Sequence, residues 1–200
     1  MSFLTSIGDK MRLIGPVPIV ALAGGLGLLA VLWVNRRKIT NTVRNMVNNS
    51  YFTISELCHS ATATARGIDN TPTETAKNNL QGLITNVLDP LREAYGKPIV
   101  VNSGYRSPAL NKAVGGVPDS QHLTGMAADL RGEKNTKAEL VEMCRRAISL
   151  GVYDQLIFEH SGNSLWLHIS YNPRGNRRQL LSYRGGRYTS LPTSGWESFV

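Results

Sequence analysis

Cysteine is scarce in this chain of 200 residues, which contains only Cys58 and Cys144. A disulfide framework or a thiolate metal site needs more cysteines or a short spacing between them, so the sequence favours neither. Charged residues are also few, at 18%, while apolar residues reach 42%. This composition predicts a folded domain of ordinary size rather than a disordered chain. Both cysteines are expected to be small buried hydrophobic residues.

Acidic residues are in deficit, because 14 Asp and Glu stand against 22 Lys and Arg, which gives a formal net charge of +8. Such an excess indicates a polyanionic partner or an anionic surface, and nucleic acid, anionic lipid and anionic cell wall all qualify. The sequence has no helix with an Arg/Asn reading face, no zinc-finger spacing and no RNP-like aromatic strand. Nucleic acid is therefore not the favoured partner.

Charged residues are absent from positions 13–34, and a run of this length spans a hydrocarbon core of about 30 Å as a helix. We expect residues 1–35 to form an uncleaved anchor that makes the chain a single-pass membrane protein in contact with the lipid bilayer. The alternative is a cleaved signal peptide, but the run is long and lacks a small-x-small cleavage site. Its four glycines favour association with a second membrane helix.

The remaining chain divides into a polar linker at 36–50, a globular domain at 51–171 and a basic tail at 172–200. In the globular part, predicted helices come first and short β-rich runs follow, including a hairpin formed by 155–159 and 165–170. This order predicts an α+β domain with a small antiparallel sheet. The tail is expected to be solvated, although 180–183 has the pattern of an edge strand.

Three side chains carry the pattern of a metal site. His122 and Asp129 lie seven positions apart with Gly125 between them, so a tight turn can bring imidazole and carboxylate to one ion. His168 lies within a β-rich run. Two His and one carboxylate suit catalytic zinc, which keeps three protein ligands and one open position. Taken alone the spacing is weakly specific, because a single strand histidine is more often a core residue.

The wider context makes this pattern more specific. Four segments occur in order: 51–72, Ser-Gly-Tyr-Arg-Ser-Pro at 103–108, Ser-x-His-x-x-Gly-x-Ala-Ala-Asp at 120–129, and Trp-x-His-x-Ser-Tyr at 166–171. Together they resemble the zinc D-Ala-D-Ala carboxypeptidase-like family of peptidases, the M15 clan, which includes many phage endolysins. The resemblance implies a fold like that of D-Ala-D-Ala carboxypeptidases and hedgehog signalling domains. It also implies peptidoglycan stem peptides as the substrate.

The resemblance further assigns roles to individual residues. It implies Zn²⁺ held by the two histidines and the aspartate named above, and Arg106 as the group that holds a substrate carboxylate or the polarised carbonyl oxygen. Tyr105, Ser120 and Trp166 are expected to contact the substrate. One departure matters, because many relatives carry an acidic base three positions before the last His ligand, where this chain has Leu165.

The catalytic base must therefore come from another position, and we predict Glu159. If Glu159 pairs with Ser164 across the hairpin turn, alternation along the strands places its carboxylate on the face of His168. A shift of one residue would instead present His160, and Asp154 is a more distant candidate. The competing interpretation is a solvated Glu at the end of a hairpin.

These expectations converge on a membrane-anchored zinc peptidase that hydrolyses peptidoglycan stems in phage entry or lysis, or in wall remodelling. The alternative is a non-catalytic virion or membrane protein that keeps the fold and only binds stem peptides. The domain is expected to face the cell wall from a virion membrane or a bacterial inner membrane. Basic residues after the span conflict with that orientation, since they favour a cytoplasmic location.

Overall fold

The computed structural model describes residues 50–200. The predicted anchor at 1–35, with its span at 13–34, and all but the last residue of the 36–50 linker lie outside this part. Within residues 50–200, no helix combines the length and apolar character that a membrane crossing requires. Cys58 and Cys144 are both free. Cys144 is fully buried, as expected for a small hydrophobic residue, whereas Cys58 is only partly buried against the core, so the expectation was wrong for Cys58.

Six α-helices form within residues 50–200, five of them before residue 114 and the longest after residue 136. Their bounds are α1 Ile54–Cys58, α2 Ala61–Arg66, α3 Glu74–Leu83, α4 Asp89–Tyr95, α5 Pro108–Ala113 and α6 Lys137–Leu150. A π-helical turn, Ile84–Leu88, joins α3 to α4. It precedes Pro90, which cannot donate a hydrogen bond to the preceding turn. The wider turn keeps the helix continuous at a position where a proline otherwise kinks or ends a helix.

Six strands form one sheet in the order β1-β2-β4-β3-β5-β6. Their bounds are β1 Ile99–Ser103, β2 Ala127–Gly132, β3 Gln155–Ser161, β4 Ser164–Ser170, β5 Gln179–Arg184 and β6 Arg187–Ser190. Only the β3–β5 pair is parallel. The prediction of an α+β domain is confirmed, but the prediction of a small antiparallel sheet was wrong. The sheet is larger and mixed because the chain passes β3 after leaving β4 and adds β5 beyond it.

The two faces of the sheet differ in their surroundings. One face contributes Leu130, Phe158 and Leu167 to the hydrophobic core, where they lie with Leu140 and Met143 of α6. The other face, which we call the pocket face, carries alternate residues of the same strands and remains open to a cavity. Its members in β2, β3 and β4 are Asp129, Ile157, Glu159, Trp166 and His168.

The C-terminal residues belong to this domain and do not form the solvated tail that the sequence analysis expected. Leu180, Leu191 and Trp196 are only 5%, 8% and 3% exposed and join the core. The predicted end of the globular domain at residue 171 is therefore wrong, because β5 and β6 extend the same sheet. The strand expected at 180–183 corresponds to β5, but β5 is not an edge strand, because β6 pairs with its outer side.

Candidate metal centre

A short 3-10 turn, Gln121–Thr124, places His122 next to the start of β2. The turn ends at Gly125, whose φ of 72° is left-handed and whose hypothetical Cβ would lie 2.5 Å from the carbonyl oxygen of Ala76. Both constraints favour glycine at this position. The chain can therefore reverse between His122 and Asp129, as the sequence pattern predicts.

His168 reaches the same point from the neighbouring strand. In the antiparallel β2–β4 pair, Asp129 and His168 are direct cross-strand partners, so their side chains project from adjacent points of the pocket face. All three side chains are buried, with exposures of 3% for His122, 6% for Asp129 and 7% for His168. The structure thus brings together the three residues that the sequence predicts as metal ligands.

Three atoms of these residues form a nearly equilateral triangle. The distance is 3.2 Å from His122 Nε2 to His168 Nδ1, 3.0 Å from His168 Nδ1 to Asp129 Oδ1, and 3.2 Å from His122 Nε2 to Asp129 Oδ1. Ligands about 2.0–2.1 Å from a tetrahedral zinc ion are separated from one another by about 3.3–3.4 Å. The triangle therefore fits Zn²⁺ with little movement.

Contacts outside the triangle orient these groups. His122 Nδ1 lies 2.6 Å from the carbonyl oxygen of Gly104, which can only accept a hydrogen bond. Nδ1 therefore carries a proton, and Nε2 is the ring atom directed at Asp129 Oδ1. The carboxylate and this nitrogen are held 3.2 Å apart when a positive charge, a proton or a cation, lies between them. This donor set supports a cation site.

Arg106 binds the other oxygen of the aspartate. Its Nη2 donates to Asp129 Oδ2 at 2.6 Å, and its Nε donates to Ser103 Oγ at 2.8 Å. Burial raises the pKa of Asp129, but the charges and hydrogen bonds of the two histidines outweigh it and hold that pKa well below its usual range. Arg106 lines the cavity as expected. It also holds the candidate metal ligand Asp129, and this role was not predicted from the sequence.

Glu159 lies on the pocket face, although the predicted register was wrong by two residues. Glu159 pairs with Trp166, and Ile157 lies opposite His168. Glu159 still lies on the predicted face of the sheet, because side chains alternate along a strand with a period of two and the register error is even. Burial, followed by the charge of Asp129, raises the pKa of Glu159 to about 7, with His168 and Arg106 opposing the change.

The two rival bases have other surroundings. His160 projects from the opposite face of β3, where its ring lies 5.4 Å from that of Phe158. Asp154 is fully buried and accepts hydrogen bonds from Gln121 Nε2 and from the backbone and guanidinium of Arg177. Its carboxylate is therefore saturated by structural partners and is not free to take a proton from a substrate.

A cavity of about 570 Å³ opens above the triangle. Ser120 and Trp166 line it, in keeping with their expected contact with substrate. Tyr105 does not line it, because its side chain is 5% exposed and lies in the hydrophobic core. The predicted role of Tyr105 in substrate binding is corrected accordingly.

Further lining residues were not predicted from the sequence, among them Gln121, Arg177, Tyr183 and Tyr188. The last three come from the segment interpreted as a tail. The apolar and aromatic residues at 180–183 were the available signal for a strand. They do not reveal which strand β5 joins, and that choice decides whether Tyr183 faces the cavity.

An α+β domain with a buried His–Asp–His triangle and a carboxylate in one open cavity has the architecture of a zinc hydrolase site. A family model described as Peptidase M15 matches residues 50–170. The chain belongs to the peptidase M15 family. Over 44 residues it is 52% identical to zinc D-Ala-D-Ala carboxypeptidase of Streptomyces albus G, an overlap that covers 22% of this chain and 17% of that protein. Family and relative both imply Zn²⁺ as the cofactor.

Proposed function

We propose that this chain is a zinc peptidase that hydrolyses the peptide stems of bacterial peptidoglycan. The observation that carries the proposal is the triangle of donor atoms at 3.0–3.2 Å, with Glu159 lining the same cavity. Membership of the peptidase M15 family and the carboxypeptidase activity for which the Streptomyces relative is named support the choice of reaction and substrate.

We assign a role to each residue of the site from its contacts. His122, Asp129 and His168 hold Zn²⁺, which when bound supplies Lewis-acid activation of water and of the peptide carbonyl. Glu159 takes the proton of the attacking water and passes it to the leaving amine. Arg106 keeps Asp129 in place through Nη2, and the rest of its guanidinium, which lines the cavity, donates to a substrate oxygen.

The proposal also covers the bond that is cleaved and the function that would apply if no bond is cleaved. The bond cleaved is either the D-Ala-D-Ala bond, which makes the chain a carboxypeptidase, or the L-Ala-D-Glu bond, which makes it an endopeptidase. The alternative function is a virion or membrane protein that binds stems without cutting them. Glu159 favours the enzyme, because a carboxylate on the pocket face supplies the base that the departure at Leu165 leaves missing.

Mass spectrometry of purified peptidoglycan tests the reaction. The full chain is incubated with peptidoglycan once with stoichiometric zinc and once after removal of metal by a chelator. New stem fragments in the zinc-loaded digest, which are absent from the stripped one, are expected, and their masses identify the bond. Intact stems in both digests, together with measurable binding of the stems, would favour the non-cutting alternative.

We also propose that residues 13–34 anchor the chain in a bilayer, with the peptidase domain directed at the cell wall during phage entry or lysis, or during wall remodelling. The support is the uncharged run and its length. Fractionation of cells that produce the full chain tests the anchor, and protease added from outside tests the orientation. Recovery in the soluble fraction would contradict the anchor, and a domain protected from external protease would contradict the orientation.

A further inference from the structure

A row of four side chains crosses the pocket face from the metal centre to the edge of the sheet. Glu159 is the direct partner of Trp166 on β4 and of Tyr183 on β5, and Tyr183 is the direct partner of Tyr188 on β6. All four line the cavity. The proposed base therefore lies between an indole on one side and two phenol rings on the other, and the row continues away from the site of cleavage.

The two tyrosines at the outer end are close but incompletely covered. Their ring centroids lie 4.6 Å apart with the planes inclined by 44°, and Tyr188 is 53% exposed. Both lie beyond residue 170, where the match to the family model ends. The outer end of the cavity is therefore a feature of this chain's C-terminal segment and lies outside the matched region.

Asp119 adds a negative charge to this cavity. It lines the cavity from the loop before the 3-10 turn, it is exposed, and within residues 50–200 it has no hydrogen-bond or ion-pair partner through its side chain. The cavity's two cationic side chains are each bound to a carboxylate, Arg106 to Asp129 and Arg177 to Asp154. Asp119 is thus the exposed charge that lacks a partner at this site.

The charge of Asp119 also acts on the hydroxyl of Tyr188. Burial and then the charge of Glu159 raise the pKa of the Tyr188 hydroxyl, and Asp119 contributes in the same direction. The arginines of the hairpin turn, Arg184 and Arg187, do not line the cavity, because they alternate with the tyrosines and project from the other face. An exposed aromatic face beside an unpaired carboxylate favours a cation.

We propose that Tyr183, Tyr188 and Asp119 form a subsite for the ammonium group of the diamino acid in the stem peptide. This inference rests on the proposed function. The ring of Tyr188 supplies the face over which the ammonium lies, Tyr183 supports that ring, and Asp119 balances the charge. The subsite would make the enzyme selective for stems whose diamino acid carries a free side-chain amine.

The distances along the sheet agree with such a substrate. Tyr188 lies two strand spacings from Glu159, which is about 10 Å at about 4.8 Å per spacing. In a stem peptide the diamino acid is the second residue on the N-terminal side of a cleaved D-Ala-D-Ala bond and the second residue on the C-terminal side of a cleaved L-Ala-D-Glu bond. Two extended residues cover about 7 Å, and the side chain of the diamino acid covers the rest. The spacing therefore fits either bond, but the stem must run in opposite directions across the pocket face in the two cases.

Two synthetic stem pentapeptides test the subsite, one with a free lysine amine and one with that amine acetylated. For the zinc-loaded full chain we expect kcat/KM to be about 10-fold higher on the free peptide, mainly through a lower KM. Tyr188→Ala and Asp119→Asn should each reduce this ratio toward one. Tyr188→Phe should keep the ratio because the ring face remains, and Thr189→Ala, on the other face of β6, serves as the matched control.

Equal kcat/KM for the two peptides in the parent chain would overturn the subsite, as would a ratio that survives both Tyr188→Ala and Asp119→Asn. Loss of the ratio in Tyr188→Phe would overturn the role given to the ring. Calorimetric binding of both peptides to the metal-stripped chain separates the two proposals. Preferential binding of the free peptide without any zinc-dependent hydrolysis would sustain the subsite and contradict the peptidase.

Discussion

Residues 50–170 and residues 171–200 contribute to the same cavity in different ways. The first region supplies Glu159 and the three metal-binding candidates, which are held by short contacts, and all four lie in the stretch that the family model matches. The second region supplies Arg177, Tyr183 and Tyr188, which form part of the wall. In the proposed function, the matched region therefore supplies the reacting groups, and the C-terminal segment supplies the contacts that select the substrate.

The largest effect should follow from removing a donor of the first region. His168→Ala leaves two of the three donors, so we expect loss of bound zinc and a fall of hydrolysis to the background rate. Metal analysis of the purified variant measures the first, and peptide cleavage measures the second. His160→Ala on the opposite face of the same hairpin is the matched control and should retain both. Stoichiometric, tightly held zinc in His168→Ala would remove His168 from the ligand set.

A smaller effect is expected at Arg106, which supports the donor Asp129 at 2.6 Å. Arg106→Ala should weaken zinc affinity or activity by about 10- to 100-fold, the usual range for the loss of a group that orients a ligand. Competition with a chelator measures the affinity. Arg131→Ala, two positions after Asp129 on the same strand, is the control. A variant with unchanged zinc affinity and unchanged kinetics would exclude Arg106 from the site.

Asp154 connects the two regions, since Gln121 belongs to the first and Arg177 to the second. Asp154→Ala removes the buried carboxylate that both bind, and we expect a loss of about 3 kcal/mol in the free energy of unfolding. Denaturant unfolding measures it, with the exposed Glu133→Ala as the control. If the stability of Asp154→Ala matches that of the control, the two regions are not coupled through this carboxylate.

The smallest effect is a pH dependence of the metal-free protein. The folded state raises the pKa of Glu159 to about 7, so the protonated form is favoured. The contribution of Glu159 to the free energy of unfolding is full below its unfolded pKa of about 4.3, and it is lost as the pH rises through the folded pKa of about 7. The melting temperature of the metal-free parent should therefore fall by roughly a few degrees relative to Glu159→Gln between pH 4.5 and 7.5. Parallel curves for the two proteins would contradict the shift.

The metal centre could be predicted from local patterns, whereas the wall of the cavity could not. His122 and Asp129 are joined by a short turn whose requirement for Gly125 is visible in the sequence, so their proximity follows from nearby residues. Glu159 was placed on the correct face despite a register error of two, because only an odd error moves a side chain to the other face.

Non-local pairing explains what was missed. The apolar and aromatic residues of β5 indicate a strand, but its parallel pairing with β3 depends on a crossover from β4 that no short pattern encodes. The core role of Tyr105 was missed for a related reason. Its position in the Ser-Gly-Tyr-Arg-Ser-Pro segment suggested the substrate, while its burial is produced by packing that involves residues distant in the chain.

The substitution Glu159→Gln tests the central claim most directly, because it keeps the shape of the side chain and removes only its capacity to accept a proton. Zinc content and the rate of stem-peptide hydrolysis are measured on the same preparation of the zinc-loaded chain. We predict that zinc remains stoichiometric while kcat falls by about 10²-fold or more. Hydrolysis at the parent rate with zinc bound would contradict the assignment of Glu159 as the base of a zinc peptidase.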